Sequence, residues 1–246
     1  MFAFALWDKK EQSLTLVQDR LGKKPLYFGW IGEYFVFGSE LKVLEEHPDF
    51  EFEFDINRYV LVLYLRYNYM PSPFAIFNNI YKLTQGSYLT IKYEQLSKQY
   101  WSPYKTAQQQ QNNVFTGSFE QASNQLEQLI HDSTTVAAIA QQQSQHAVST
   151  FSLGFTKNDI SEAAAAKKIA QHLKTDHYEL YISGQDALDV LPEMPRIYDE
   201  PFGDSSQIST YIISKLARSQ VTATLTGDGG DELFFGYKRY LSAREV

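Results

Sequence analysis

Cysteine does not occur among the 246 residues. Disulfides, thiolate metal sites and cysteine nucleophiles are therefore excluded within this chain. The five histidines, His47, His131, His146, His172 and His177, are scattered without ligand spacing. Each reads as a satisfied or exposed side chain rather than a metal ligand. Positive charge is also short: 22 Lys and Arg stand against 29 Asp and Glu, a net charge of −7. That balance argues against the basic face of a general nucleic-acid binder. No apolar run approaches a membrane-spanning length, and Met1-Phe2-Ala3-Phe4 has neither a basic flank nor a cleavage-like site. The expectation is a cytoplasmic protein with no membrane and no nucleic-acid partner.

What is present is the composition of a soluble globular protein, 43% hydrophobic and 15% aromatic. The length allows one large core or two modest ones. Periodicity predicts strands over 13–17 and 33–41, and another near 26–28. Asp55 is the expected N-cap of the helix "INRYVLVLYLRY", with Val60, Leu61, Tyr64 and Leu65 on one face. "MPSP" at 70–73 breaks it, and 86–93 reads as a further strand. The polar run "AQQQQNN" at 107–113 is expected as a surface linker, and "QQQSQ" at 141–145 as a loop.

Beyond Ser118 the pattern alternates. Helices are expected over 119–131, with Leu126, Leu129 and Ile130 on one side, over 162–173, with Ala163, Ala166, Ile169, Ala170 and Leu173 as the stripe, and over 207–218. Strands are expected over 147–155, where Phe151, Leu153 and Phe155 alternate, over 177–182 and over 221–225. Such alternation implies a parallel sheet with crossover helices, in which ligands bind beyond the carboxyl ends of strands.

"TLTGDGGDELFFGY" at 224–237 would sit at such an end. Gly227, Gly229 and Gly230 let a backbone approach a bound group, with N–H donors for anionic oxygens. Asp228, Asp231 and Glu232 would repel a phosphate unless a hard divalent cation bridged them. The loop lacks the alternating ligands of an EF-hand and the lysine of a P-loop. An ordinary strand-to-helix turn with exposed acids is the alternative. A second acid-rich turn, "YDEPFGDSSQISTY" at 198–211, precedes it. There Ser205 and Ser206 are candidate helix caps, and Asp199, Glu200 and Asp204 are either solvated charges or neighbours of a substrate amine.

In order and spacing, "FSLGF", "EAAAAKKIAQHLKTDHYELYI", "YDEPFGDSSQISTY" and "TGDGGDELFFGYKRY" resemble the glutamine-hydrolysing asparagine synthetases. "MFAFALWDKKEQSLTLVQDRLGKKPLYF", "FGSELK" and "YMPSPFAIFNNIYKL" resemble the later part of that family's glutaminase domain. The resemblance implies an α/β protein in two parts. Residues 1–106 would be the C-terminal part of an N-terminal-nucleophile αββα glutaminase domain, 107–117 a linker, and 118–246 a partial parallel-sheet, adenine-nucleotide hydrolase-like domain. It also implies ATP and Mg²⁺, with aspartate and ammonia as substrates, and amidation through an aspartyl-adenylate. Leu153 would lie at the adenine, and Thr226 and Gly227 would make backbone contacts to the nucleotide beside Gly229 and Gly230. Asp228 would stand near the activated carboxylate and Asp231 would share magnesium and pyrophosphate.

Three departures accompany the resemblance. The family's catalytic cysteine is absent, and so are its S-G-G-x-D-S pyrophosphate loop and C-terminal lysine. Asp132-Ser133 is either the remnant of that loop or the plain end of the preceding helix. The expectation is an incomplete chain, inactive alone, with unpaired sheet edges that favour self-association. A non-catalytic relic or interaction module, and an independent Mg-nucleotide binding domain, are the other readings.

Overall fold

Alternating apolar residues build two antiparallel sheets in the first part of the chain. The computed structural model describes residues 1–48, 55–92, 95–111, 113–125, 136–156 and 162–226. It divides into two units, Met1–Phe115 with Pro192–Asp204, and Thr116–Leu191 with Ser205–Val246.

In the first unit, β1 (Ala3–Asp8), β2 (Ser13–Gln18), β6 (Ser87–Ile91) and β7 (Gln95–Gln99) form one sheet in the order β1-β2-β6-β7. β3 (Tyr27–Ile31), β4 (Tyr34–Gly38) and β5 (Ile80–Lys82) form another, in the order β4-β3-β5. Because side chains alternate along a strand, β3 serves two layers. Tyr27 and Ile31 face α1 (Leu41–Glu45) and α2 (Arg58–Tyr67), where they are buried with Leu41, Leu44, Val60 and Ile80. Phe28 points the other way, to Leu16 and Leu89 of the first sheet, beside Leu26 and Leu83.

Two local expectations for α2 change. Its N-cap is Asn57, whose side chain accepts from the amides of Tyr59 and Val60. Asp55 cannot take that place, because the chain is still extended at the neighbouring Ile56–Phe77 bridge. Of the expected apolar face, Val60 is fully buried and Leu61 and Tyr64 pack at the core margin, but Leu65 is 78% exposed. The helix ends at Asn68, whose left-handed backbone (φ 61°) stops it before Met70.

Part of the expected surface linker is helical: α3 (Pro103–Gln110) is capped by Ser102 and buries nothing. Similarly α4 (Val136–Gln143) extends into the glutamine run that was expected as a loop.

In the second unit, β8 (Ser149–Phe155) and β9 (Asp176–Ile182) pair in parallel in the register Leu153 to Leu180, joined by α5 (Glu162–Leu173). A parallel pair requires such a crossover. Ala163 and Ala170 of α5 are buried, whereas Ile169 of the expected stripe is 60% exposed. α6 (Gly184–Val190) starts with a reciprocal capping box between Ser183 and Asp186. The 3₁₀ turn Leu191–Glu193 and α7 (Met194–Ile197) follow, and then α8 (Ser206–Arg218), which buries Ile212 and Ala217. Ser205 occupies the N-cap of α8 but makes no side-chain cap bond, so the expected capping role for it does not hold.

Residues 221–225 form no strand, and Leu225 is 78% exposed. β-branched residues favour a strand only where a neighbour offers a ladder and a surface to pack on. Among the described residues, β8 pairs with β9 alone.

Candidate functional site

The carboxyl ends of β8 and β9 are tied together: the amide and hydroxyl of Thr156 both donate to Ile182 O, at 3.1 and 3.4 Å. This is the edge at which a parallel sheet presents ligands. Leu153 lies two residues before the end of β8, half-buried, on the same face as Phe151 and Phe155. Phe151 stacks on Tyr178 of β9 with ring centroids 5.3 Å apart. The face is therefore apolar and partly open, a chemistry suited to a flat heteroaromatic ring.

The opposite face of the same two strands is polar and more deeply buried, a distinction the alternation of Phe151, Leu153 and Phe155 did not bring out. His177 is held between Thr150 Oγ1, 2.8 Å from Nδ1, and Ser152 Oγ, 3.1 Å from Nε2. Thr150 Oγ1 also meets Thr175 Oγ1 at 2.9 Å. Next to it, Glu179 forms an ion pair with Lys167 of α5 at 3.0 Å. That hydrogen bond holds Glu179 below the ordinary glutamate value and lifts Lys167 above the ordinary lysine value. Both ring nitrogens of His177 are occupied by hydroxyls, so the imidazole braces the strand pair.

Of the residues that the resemblance assigns to the nucleotide site, Leu153 and Thr226 are described. Gly227, Asp228, Gly229, Gly230 and Asp231 lie outside the described residues, as do Asp132 and Ser133. Among the described residues no group of three His, Asp or Glu could hold a metal ion. No described helix is long and apolar enough to cross a membrane.

Asp204 is exposed, as a solvated charge would be, whereas Asp199 and Glu200 are not. Asp199 and Glu200 belong to the first unit, and neither is a solvated charge. Glu200 Oε1 accepts from the Ile76 amide at 2.7 Å. Its Oε2 faces the Tyr27 hydroxyl at 3.3 Å and pairs with Lys82. Asp199 Oδ2 accepts from the Leu41 amide at 2.6 Å, and Oδ1 lies 3.4 Å from Lys42 Nζ. Burial, then the charges of Glu200 and Asp199, push the Tyr27 hydroxyl far above the ordinary tyrosine value, so it stays protonated and donates. Burial works against the Lys42 charge, but Glu40 and Asp199 outweigh it and raise its pKa. These groups border a cleft of ≈ 370 Å³ within the first unit. Sequence periodicity carries no sign of this arrangement, because its partners come from four separate stretches of chain.

Comparison with known proteins accounts for both parts. A family model described as glutamine amidotransferase domain matches residues 1–102, and one described as asparagine synthase matches 131–245. The chain is 32% identical to a protein named putative asparagine synthetase [glutamine-hydrolyzing] 2 of Methanocaldococcus jannaschii, over 98% of this chain and 50% of the relative. It is 29% identical to asparagine synthetase [glutamine-hydrolyzing] 1 of Bacillus subtilis, over 98% of this chain and 40% of the relative. The chain thus spans half or less of the length of these relatives. The first match extends over 260 residues, more than the 246 of this chain. The relative therefore carries internal residues that have no counterpart here.

Proposed function

We propose, from the two family matches and the similarity to glutamine-hydrolysing asparagine synthetases, that the chain belongs to that family and serves ATP-dependent amidation of aspartate, with Mg-ATP held at the carboxyl ends of β8 and β9. The observation that carries this reading is the coincidence of two tandem family matches with the open apolar face around Leu153.

In this proposal 1–106 is the later part of an αββα glutaminase domain. Residues 107–117 connect it to a parallel-sheet, adenine-nucleotide hydrolase-like domain over 118–246. The order of helices, sheet and second sheet in the first unit supports the former, and the β8–α5–β9 crossover supports the latter.

Leu153 would pack on the adenine. The backbone of Thr226, Gly227, Gly229 and Gly230 would approach the phosphates, and Asp231 would ligate the magnesium. When bound, the cation neutralises phosphate charge as pyrophosphate leaves. Asp228 would orient the carboxylate of aspartate for attack, a positioning role rather than a covalent one. Ammonia, not glutamine, is the nitrogen source to supply, since no cysteine is present in these residues.

Aspartate-dependent ATP–pyrophosphate exchange tests the reading. Exchange that requires Mg²⁺ and is abolished by Asp231→Ala is the expected result. Nucleotide binding without aspartate-dependent exchange would reduce the proposal to a Mg-nucleotide binding domain.

A further inference from the structure

The segment Pro192–Asp204 belongs to the first unit, yet the helices that flank it, α6 and α8, belong to the second. It is a strap, and its attachment to the first unit is unusual in kind. Neither hydrophobic core cluster of the first unit contains a strap residue. Met194 is the one buried apolar side chain that the strap supplies, and Tyr198 and Phe202 pack on each other, with ring centroids 4.8 Å apart. The polar attachment is much richer. Lys42 Nζ donates to Ile197 O at 3.2 Å, and the Gly203 amide donates to Asn68 O at 2.6 Å. Between these two bonds, Asp199 takes the Leu41 amide and Lys42, while Glu200 takes the Ile76 amide, the Tyr27 hydroxyl and Lys82. The Asp199 and Glu200 side chains are only 11% and 9% exposed.

We infer that the first unit carries a docking site for a paired-carboxylate peptide, built from two backbone amides, two lysines and a tyrosine hydroxyl, and that Asp199 and Glu200 latch the strap into it by charge rather than by apolar burial. Charge-assisted bonds to amides and ammonium groups are the strong class of hydrogen bond. In a half-buried setting they also specify a partner, because an uncharged strap would leave Lys82, 17% exposed, facing a largely desolvated site. Glycine at 203 belongs to the same design. A Cβ there would lie 2.8 Å from Asn68 Cβ, too close for the strap to return along that path. The strap is thereby a separable cooperative element, able to open while the sheets and their cores stay closed. This inference is independent of the proposed activity.

Native-state hydrogen exchange on the full chain tests it. In the double variant Asp199→Asn, Glu200→Gln, which keeps one acceptor oxygen in each side chain and removes the charge, the Leu41 and Ile76 amides should exchange about tenfold faster or more. The Leu16 and Leu89 amides in the other sheet should be unchanged, and trypsin should cut faster after Arg196. Lys42→Met, at a side chain 42% exposed, should accelerate Leu41 more than Ile76, and it carries the test if the double variant does not fold. Unchanged exchange at Leu41 and Ile76 would overturn the latch. So would equal acceleration of Leu16 and Leu89, which would make the strap part of the global fold. If Met194→Ala releases the strap as fully as the double variant, attachment is by apolar burial and the inference fails.

Discussion

Lys82 on β5 and Glu200 on the strap form an ion pair with side chains 17% and 9% exposed. Lys82 also donates to Met70 O at 2.8 Å, so its ammonium group is fixed from both sides. Breaking such a pair leaves an uncompensated buried charge. Lys82→Met should therefore destabilise the protein by about 3 kcal/mol in urea denaturation. The double variant Lys82→Met, Glu200→Met should lose less than the single one, because no buried charge is then left uncompensated and only two neutral donors, the Ile76 amide and the Tyr27 hydroxyl, lose their acceptor. A double variant less stable than Lys82→Met would contradict this account of the pair.

Asp19 is a buried carboxylate of the first unit that should contribute to its acid response. It is 6% exposed, and its carboxylate accepts from the amides of Phe2, Leu21 and Gly22 at 2.9 Å each. Burial opposes its charge, but the three amides outweigh burial and hold its pKa below the ordinary 3.8. A depressed folded-state pKa contributes stability that is present above the unfolded value and lost as pH falls through the folded value. Denaturation midpoints of the native chain should thus decline between about pH 5 and pH 2, and Asp19→Asn should flatten that decline. An identical slope in both proteins would remove Asp19 from the acid response.

Asn57 and Asp55 make a paired test of the cap of α2. Asn57→Ala should cost about 1 kcal/mol, whereas Asp55→Ala should stay within about 0.5 kcal/mol, as at other exposed positions. Equal losses from thermal denaturation would return the cap to Asp55.

His177 braces β8 against β9, so its removal should act on stability rather than on ligand affinity. His177→Leu leaves the hydroxyl of Ser152, a residue 6% exposed, without its imidazole partner. The expected loss is about 1–3 kcal/mol. Unchanged stability, measured by urea titration, would show that the hydroxyls find other partners.

Local pattern reached part of this structure. β8, β9, α5 and α8 fall within a residue or two of their expected positions, because periods of 2 and 3.6 are written into short stretches. The strand 221–225 failed for the same reason that β8 succeeded: β-branched residues report a fit to neighbours, and among the described residues β8 has one while 221–225 has none. Leu65 shares a helical face with Val60, yet that face meets its core only around Val60, Leu61 and Tyr64. The setting of Asp199 and Glu200 was illegible for a deeper reason. Their partners, Leu41, Lys42, Ile76 and Lys82, are brought to one place only by the tertiary fold. The glycine–acid loop was legible as chemistry, while Leu153 and Thr226 are the members of that site with a described position.

The central claim is that the second unit binds Mg-ATP through the glycine–acid loop, and thermal denaturation of the full chain with millimolar Mg-ATP tests it most directly. Ligand at about 100 times its Kd should stabilise the native state by about 2.7 kcal/mol. For a chain of this size that is a rise in Tm of roughly 5–10 °C. The rise should need Mg²⁺ and should vanish in Asp231→Ala. No Mg-dependent rise, or a rise that survives in Asp231→Ala, would contradict the account.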